Sequence, residues 1–164
     1  MNMNENEPAR ILIATDGSEG ALAAARQARR LLNPQMVSQV TVVAVTHPFI
    51  GSSFGDPALV APLPQSVIDE MSHSAESAAQ DAVRRTIEEL GELGAQAQSR
   101  ICTGRTADEI VRTARDEGTD LIVIGSRGWG EARAMLLGSV SEQVLHHAPC
   151  AVFIVRSASG RKGG

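Results

Sequence analysis

Five short, almost unbroken apolar runs, RILIAT (10–15), VTVVAVT (40–46), SRICT (99–103), DLIVIG (120–125) and CAVFIVR (150–156), are separated by stretches with helical spacing. Continuous rather than alternating apolarity is how strands covered on both faces read. The first helical stretch runs from about Glu19 to Leu32, with Ala21, Leu22, Ala25, Ala28, Leu31 and Leu32 on one face, and stops at Asn33-Pro34. The second, about Gln65 to Leu93, puts Val67, Met71, Ala75, Ala78, Ala82 and Leu90 inward. A third opens at Thr106-Ala-Asp-Glu109, with Ala107, Ile110, Val111 and Ala114 as its inner stripe. A fourth opens at Ser139-Val-Ser-Glu142 and runs until Pro149. Both openings read as capping boxes, in which the Thr106 or Ser139 hydroxyl caps the helix and the glutamate reaches back. Strand and helix thus alternate along the whole chain, which predicts an α/β fold: a mostly parallel sheet, helices on both faces, right-handed crossovers.

The chain of 164 residues has the size of one domain, and its 43% hydrophobic content is enough to build a core. Residues 9–156 hold every periodic segment, so they are read as the domain; 1–8 and 157–164 read as polar tails. One irregular piece, HPFIGSSFGDPALVAPLP (47–64), is too long and too rich in Gly and Pro for an ordinary strand-to-helix turn. A lid or binding loop and an unstructured excursion are both compatible with it.

Composition removes several classes of function. Aromatic residues make up 2% of the chain, with no Tyr, so base-stacking platforms are missing, and the net charge of −4 argues against a general polyanion surface. No nucleic-acid partner is expected. Cys102 and Cys150 sit in apolar runs and read as reduced core thiols, and neither HExxH nor a Cys/His spacing suited to a metal occurs. MNMNENEPAR offers no apolar segment for secretion, and no run approaches a membrane span. A cytoplasmic protein with no membrane partner is expected.

Two loops leave strand ends with unusual residues. In open parallel sheets ligands sit beyond the carboxyl ends of the strands, where strand order reverses. Thr15-Asp16-Gly17-Ser18 follows the first strand, and Gly125-Ser126-Arg127-Gly128 follows the fourth; if those strands are neighbours, both loops open on one crevice. Gly125 and Gly128 permit close approaches that a β-carbon would obstruct. Gly138 precedes a helix whose first-turn N–H groups and dipole suit a phosphate, with the Ser139 and Ser141 hydroxyls beside them. A second reading fits these residues equally: glycines that end strands, and a Ser139 that only caps its helix.

The glycine spacing decides more when taken with the rest of the chain. Gly125, Gly128, Gly138 and Ser139 complete the pattern G-x2-G-x9-G-[ST], and ILIATDGSEGA, TGRTADEI, DLIVIGSRGWG and LLGSVSEQVLHHAPCAVFIVR accompany it. In these residues the chain resembles the universal stress protein family, in its ATP-binding type, over nearly all of 9–156. The resemblance implies a five-stranded Rossmann-like sheet in the order 3-2-1-4-5. It implies ATP as ligand, with Asp16 and the neighbouring Thr15 on the adenosine portion and the backbone around Val45 against adenine. Ile124 and Gly125 would line the adenosine pocket, and Gly128, Gly138, Ser139, Val140 and Ser141 would hold phosphates. Ala14 stands where proline is common in the family, which leaves a backbone contact there.

The charged residues add little chemistry of their own. Arg127 and Arg133 are candidates to offset a triphosphate, although a solvated arginine is the simpler reading. Mg2+ would come bound mainly by phosphates and water, since the chain shows no protein cage for it. Asp16 is a single carboxylate with no positioned partner, a poor basis for hydrolysis. The resemblance therefore implies a nucleotide-dependent regulator of a stress or dormancy response. The alternatives are a slow ATPase or nucleotidyl-transferring enzyme, and an interaction module that binds no nucleotide. Family members commonly dimerise through the last strand, and 150–156 is apolar with little to discourage edge pairing, so a homodimer is expected.

Overall fold

The computed structural model describes residues 7–48, 63–126 and 137–156. Strands β1 (Ala9–Ala14), β2 (Val37–Thr46), β3 (Ala97–Thr103), β4 (Leu121–Gly125) and β5 (Ala151–Val155) alternate with helices α1 (Glu19–Leu31), α2 (Gln65–Leu90), α3 (Thr106–Asp116) and α4 (Ser139–His147). All strand pairs are parallel, in the order β3-β2-β1-β4-β5. This is the five-stranded Rossmann-like sheet expected above. The order reverses beside β1: the chain moves outward through β2 and β3, then crosses back to β4 on the other side. The carboxyl ends of β1 and β4 therefore face one crevice.

Alternation along each strand divides the core in two. Ile11 and Ile13 point to the face that packs Ala24, Ala25 and Ala28 of α1 with Ala79, Val83 and Leu90 of α2. Leu12 and Ala14 point to the other face, against Ala107, Ile110 and Ala114 of α3 and Val144 of α4. The alanines let helices lie close to the sheet in a chain nearly without aromatics. On α1, Leu31 departs from its expected place and is exposed.

The second helix departs further. Only Ala79, Ala82, Val83, Thr86 and Leu90 are buried on α2; Met71, Ala75 and Ala78 are exposed and Val67 is half-buried. The cause is length. A helix of 26 residues is about 39 Å long, whereas the strands beneath it, β2 of ten residues and β3 of seven, span about 33 Å and about 23 Å. Helical periodicity continues past the edge of the sheet that would bury it. The helix also ends at Leu90, three residues before the expected stop, and a 3-10 turn over Gly91–Gln96 leads into β3, which begins two residues early at Ala97.

Cys102 and Cys150 are free and half-buried, and burial pushes the Cys150 thiol above its ordinary range. Among the described residues no helix is long and apolar enough to cross a membrane, and no group of three or more His, Cys, Asp and Glu is placed to hold a metal.

Candidate functional site

The cleft at the reversal point is built from strand ends and helix starts. It has a volume of about 410 Å³, within the usual range for a small-molecule pocket. The end of β1 contributes Ala14, Thr15 and Asp16; β2 contributes Val43, Val45 and His47; β4 contributes Ile124 and Gly125. Gly138, Ser139, Val140 and Ser141 close it at the start of α4, and Thr106 and Ile110 at the start of α3. Of the residues singled out from sequence, these ten come together: Ala14, Thr15, Asp16, Val45, Ile124, Gly125, Gly138, Ser139, Val140 and Ser141. Arg127 and Gly128 lie outside the described residues, as does Arg133.

The turn after β1 is held from several directions. Thr15 N–H extends the sheet by donating to Val43 O at 2.9 Å. Gly17 takes φ +74, a conformation that L side chains rarely adopt. Asp16 Oδ1 accepts from Ser18 N–H at 2.9 Å, and Ser18 Oγ caps α1 by accepting from Ala21 N–H at 3.3 Å. The backbone around Asp16 is thus fixed while its side chain is exposed at the cleft.

The start of α4 differs from the expected capping box. Gly138 occupies the cap position, with ψ 158 and no side chain to offer, and Ser139 is the first helical residue. The cap residue itself therefore offers the first-turn amides no side-chain acceptor, and the positive end of the helix faces the cleft. Ser141 is almost fully buried, and its one hydroxyl hydrogen is shared between Ser126 O and Gly138 O, both at 3.0 Å. Together with Gly138 N–H donating to Ser126 O at 2.7 Å, this clasps the end of β4 to the start of α4. The Ser141 side chain is therefore a clasp, and what it presents to the cleft is backbone.

Gly125 is needed for a reason absent from its loop. A β-carbon there would lie 2.8 Å from the carbonyl carbon and oxygen of Gly20, so the glycine lets β4 pass against the first turn of α1. Space for a ligand is secondary at this position.

Sequence reasoning did not single out Val43, His47, Thr106, Ile110 or Ala21 as lining residues. Thr106 was expected to cap α3; instead Arg105 holds the cap position without a side-chain bond, and Thr106 Oγ1 lies 3.3 Å from His47 Nε2. The pairing of β2 with β3 brings them together, because it continues to Thr46 beside Thr103 and then to Gly104 N–H donating to Thr46 O at 2.9 Å. A contact between residues 59 apart has no local signal. One was available on the helix itself: Thr106 lies four residues before Ile110, so it shares the inner stripe and stands at its open end.

With this geometry in hand, the chain can be compared with known proteins. Residues 8–156 match the profile of the universal stress protein family. The chain is 31% identical over 147 residues to universal stress protein YxiE of Bacillus subtilis, which covers 90% of this chain and 98% of that protein. Its structure is similar to that of hypothetical protein MJ0577, with a TM-score of 0.77 and 25% identity, covering 93% of this chain and 99% of that one. A universal stress protein solved in complex with cAMP shares the fold, with a TM-score of 0.62 and 24% identity over 90% of this chain and 96% of that one. A profile spanning nearly the whole domain, a close relative matched end to end and a common strand order agree: this chain belongs to the universal stress protein family.

Proposed function

We propose that the cleft binds ATP and that the protein acts as a nucleotide-dependent regulator in a stress or dormancy response. The observation that carries this reading is the pairing of two unlike walls. One is the start of α4 at Gly138–Ser141, where a glycine holds the cap position and the positive end of the helix is suited to phosphates; the other is apolar, with Val43, Val45, Ile110 and Ile124, suited to a base. Asp16 and Thr15 lie on the same cleft, where a ribose has hydroxyls to donate to a carboxylate. Gly128 is assigned to the phosphate end on the glycine pattern, and Arg127 on its charge and place within that pattern. The solved complex with cAMP serves as a precedent at the level of fold.

The described lining holds one acidic side chain, Asp16. Regulation by occupancy, with at most slow hydrolysis, suits this set better than fast phosphate chemistry. Mg2+ would travel with the phosphates and their waters, and the protein would work in the cytoplasm.

Denaturing freshly purified protein and identifying the released nucleotide by chromatography tests the reading. ATP or ADP is expected. No released nucleotide, followed by no binding of ATP with Mg2+ at millimolar concentration, would overturn it.

We also propose a homodimer formed through β5. This strand lies at the edge of the sheet, and Val152, Phe153 and Ile154 are only partly covered. Sedimentation at micromolar concentration should return about twice the chain mass of 17.3 kDa; a monomer mass alone would remove the dimer.

A further inference from the structure

We infer that Thr86, which does not line the cleft, is the positioning residue for the Asp16 turn: it anchors a chain of buried hydroxyls that runs from α2 to the Gly17 amide. Thr86 is 0% exposed, and its Oγ1 lies 2.7 Å from Ala82 O and 2.7 Å from Thr15 Oγ1. A carbonyl only accepts, so the single Thr86 proton goes to Ala82. Thr15 must then donate to Thr86, and the Thr15 oxygen is left to accept from Gly17 N–H, which lies 3.1 Å away. Every proton in the chain has one direction.

Two further contacts lead from α2 to the same turn. A β-carbon on Gly17 would lie 3.0 Å from Ala82 Cβ, so the turn rests directly on the helix, and Arg85 Nη1 donates to Gly17 O at 3.4 Å. Asp16 stands between Thr15 and Gly17, the two residues held by α2, and it alone of the three is exposed at the cleft. The backbone that carries its carboxylate is thus held from below by a helix whose first half overhangs the sheet. The consequence for binding, which rests on the nucleotide reading above, concerns the adenosine half of the ligand and not the phosphates, because α4 is held by the separate Ser126–Gly138–Ser141 clasp.

Two measurements on Thr86→Val and Thr86→Ser test this. In the nucleotide-free protein, hydrogen exchange of the Gly17 amide should quicken about tenfold in Thr86→Val, corresponding to one lost hydrogen bond, while the Leu12 and Ile13 amides of β1 stay at the wild-type rate. Thr86→Ser keeps the hydroxyl and should restore the Gly17 rate. In titrations, Thr86→Val should weaken ATP about tenfold and leave inorganic tripolyphosphate within about twofold of wild type; Thr86→Ser should bind both as wild type does. Unchanged Gly17 exchange in Thr86→Val, or equal losses of ATP and tripolyphosphate, would overturn the inference. Failure of the wild-type protein to bind ATP would instead remove the nucleotide reading, and the exchange measurement would still decide the role of Thr86.

Discussion

Ser139→Pro should leave the fold intact and weaken ATP binding by about 10- to 100-fold, the loss of one hydrogen bond to a charged group. Proline is suited to this position. Ser139 is the first residue of α4, ahead of the intrahelical ladder, so proline there costs the helix no bond. The residue before it, Gly138, already has the extended ψ of 158 that a following proline requires. The substitution removes an amide hydrogen and a hydroxyl together. Ser139→Ala removes only the hydroxyl and should cost about threefold, in the range of a neutral hydrogen bond. Calorimetric titration with ATP and Mg2+ on both variants separates the two contributions. Equal losses would assign the contact to the side chain, and wild-type affinity in Ser139→Pro would show that this amide does not meet the ligand.

Gly125→Ala should strongly destabilise the packing of α1 against β4. The added carbon would lie 2.8 Å from backbone atoms of Gly20 and 3.2 Å from Ala21 N, and no rotamer change can relieve a clash between main chains. Overpacking of this kind costs about 1–3 kcal/mol, and the upper end is expected because α1 and β4 are both elements of one packed face. A lowered midpoint of urea unfolding with an unchanged slope would show it. Because Ala21 also lines the cleft, the displacement of α1 should be felt in ATP affinity as well. An unchanged midpoint would mean that α1 and β4 do not approach as closely as described.

These two glycine-linked positions show what was legible in the sequence. The alternation of strand and helix follows from the five apolar runs, and the strand order from the family resemblance; Thr15, Asp16, Gly125, Gly138, Ser139 and Ser141 stand out at strand ends and helix starts, whereas Ala14, Val45, Ile124 and Val140 are named by the resemblance. The reasons behind individual residues were harder. In its own loop Gly125 reads as admitting a ligand, but the partner that excludes its β-carbon is Gly20, more than a hundred residues earlier. Ser139 and Thr106 read as caps, and each is instead the first helical residue. A hydroxyl three residues before a glutamate looks the same in both registers, and only the preceding residue's backbone angles distinguish them. On α2 the periodicity was right and the burial wrong, since spacing along a helix carries no information on the width of the sheet beneath it. His47 and Thr106 meet only because β2 and β3 remain in register past their ends.

The two borders of the sheet are unlike. At the β3 border Gln98, Ser99 and Arg100 are exposed, and Arg100 pairs with Glu117 at 2.6 Å; at the β5 border the side chains are Val152, Phe153 and Ile154. Charged and polar residues discourage a further strand, and bare apolar ones admit it. A sheet welcoming on both sides could add molecules without limit and grow into a filament. With one welcoming side, growth ends after a single union, because two molecules joined through β5 present only their β3 borders to the solvent. If the proposed pair forms through β5, the same asymmetry would keep a concentrated solution from polymerising.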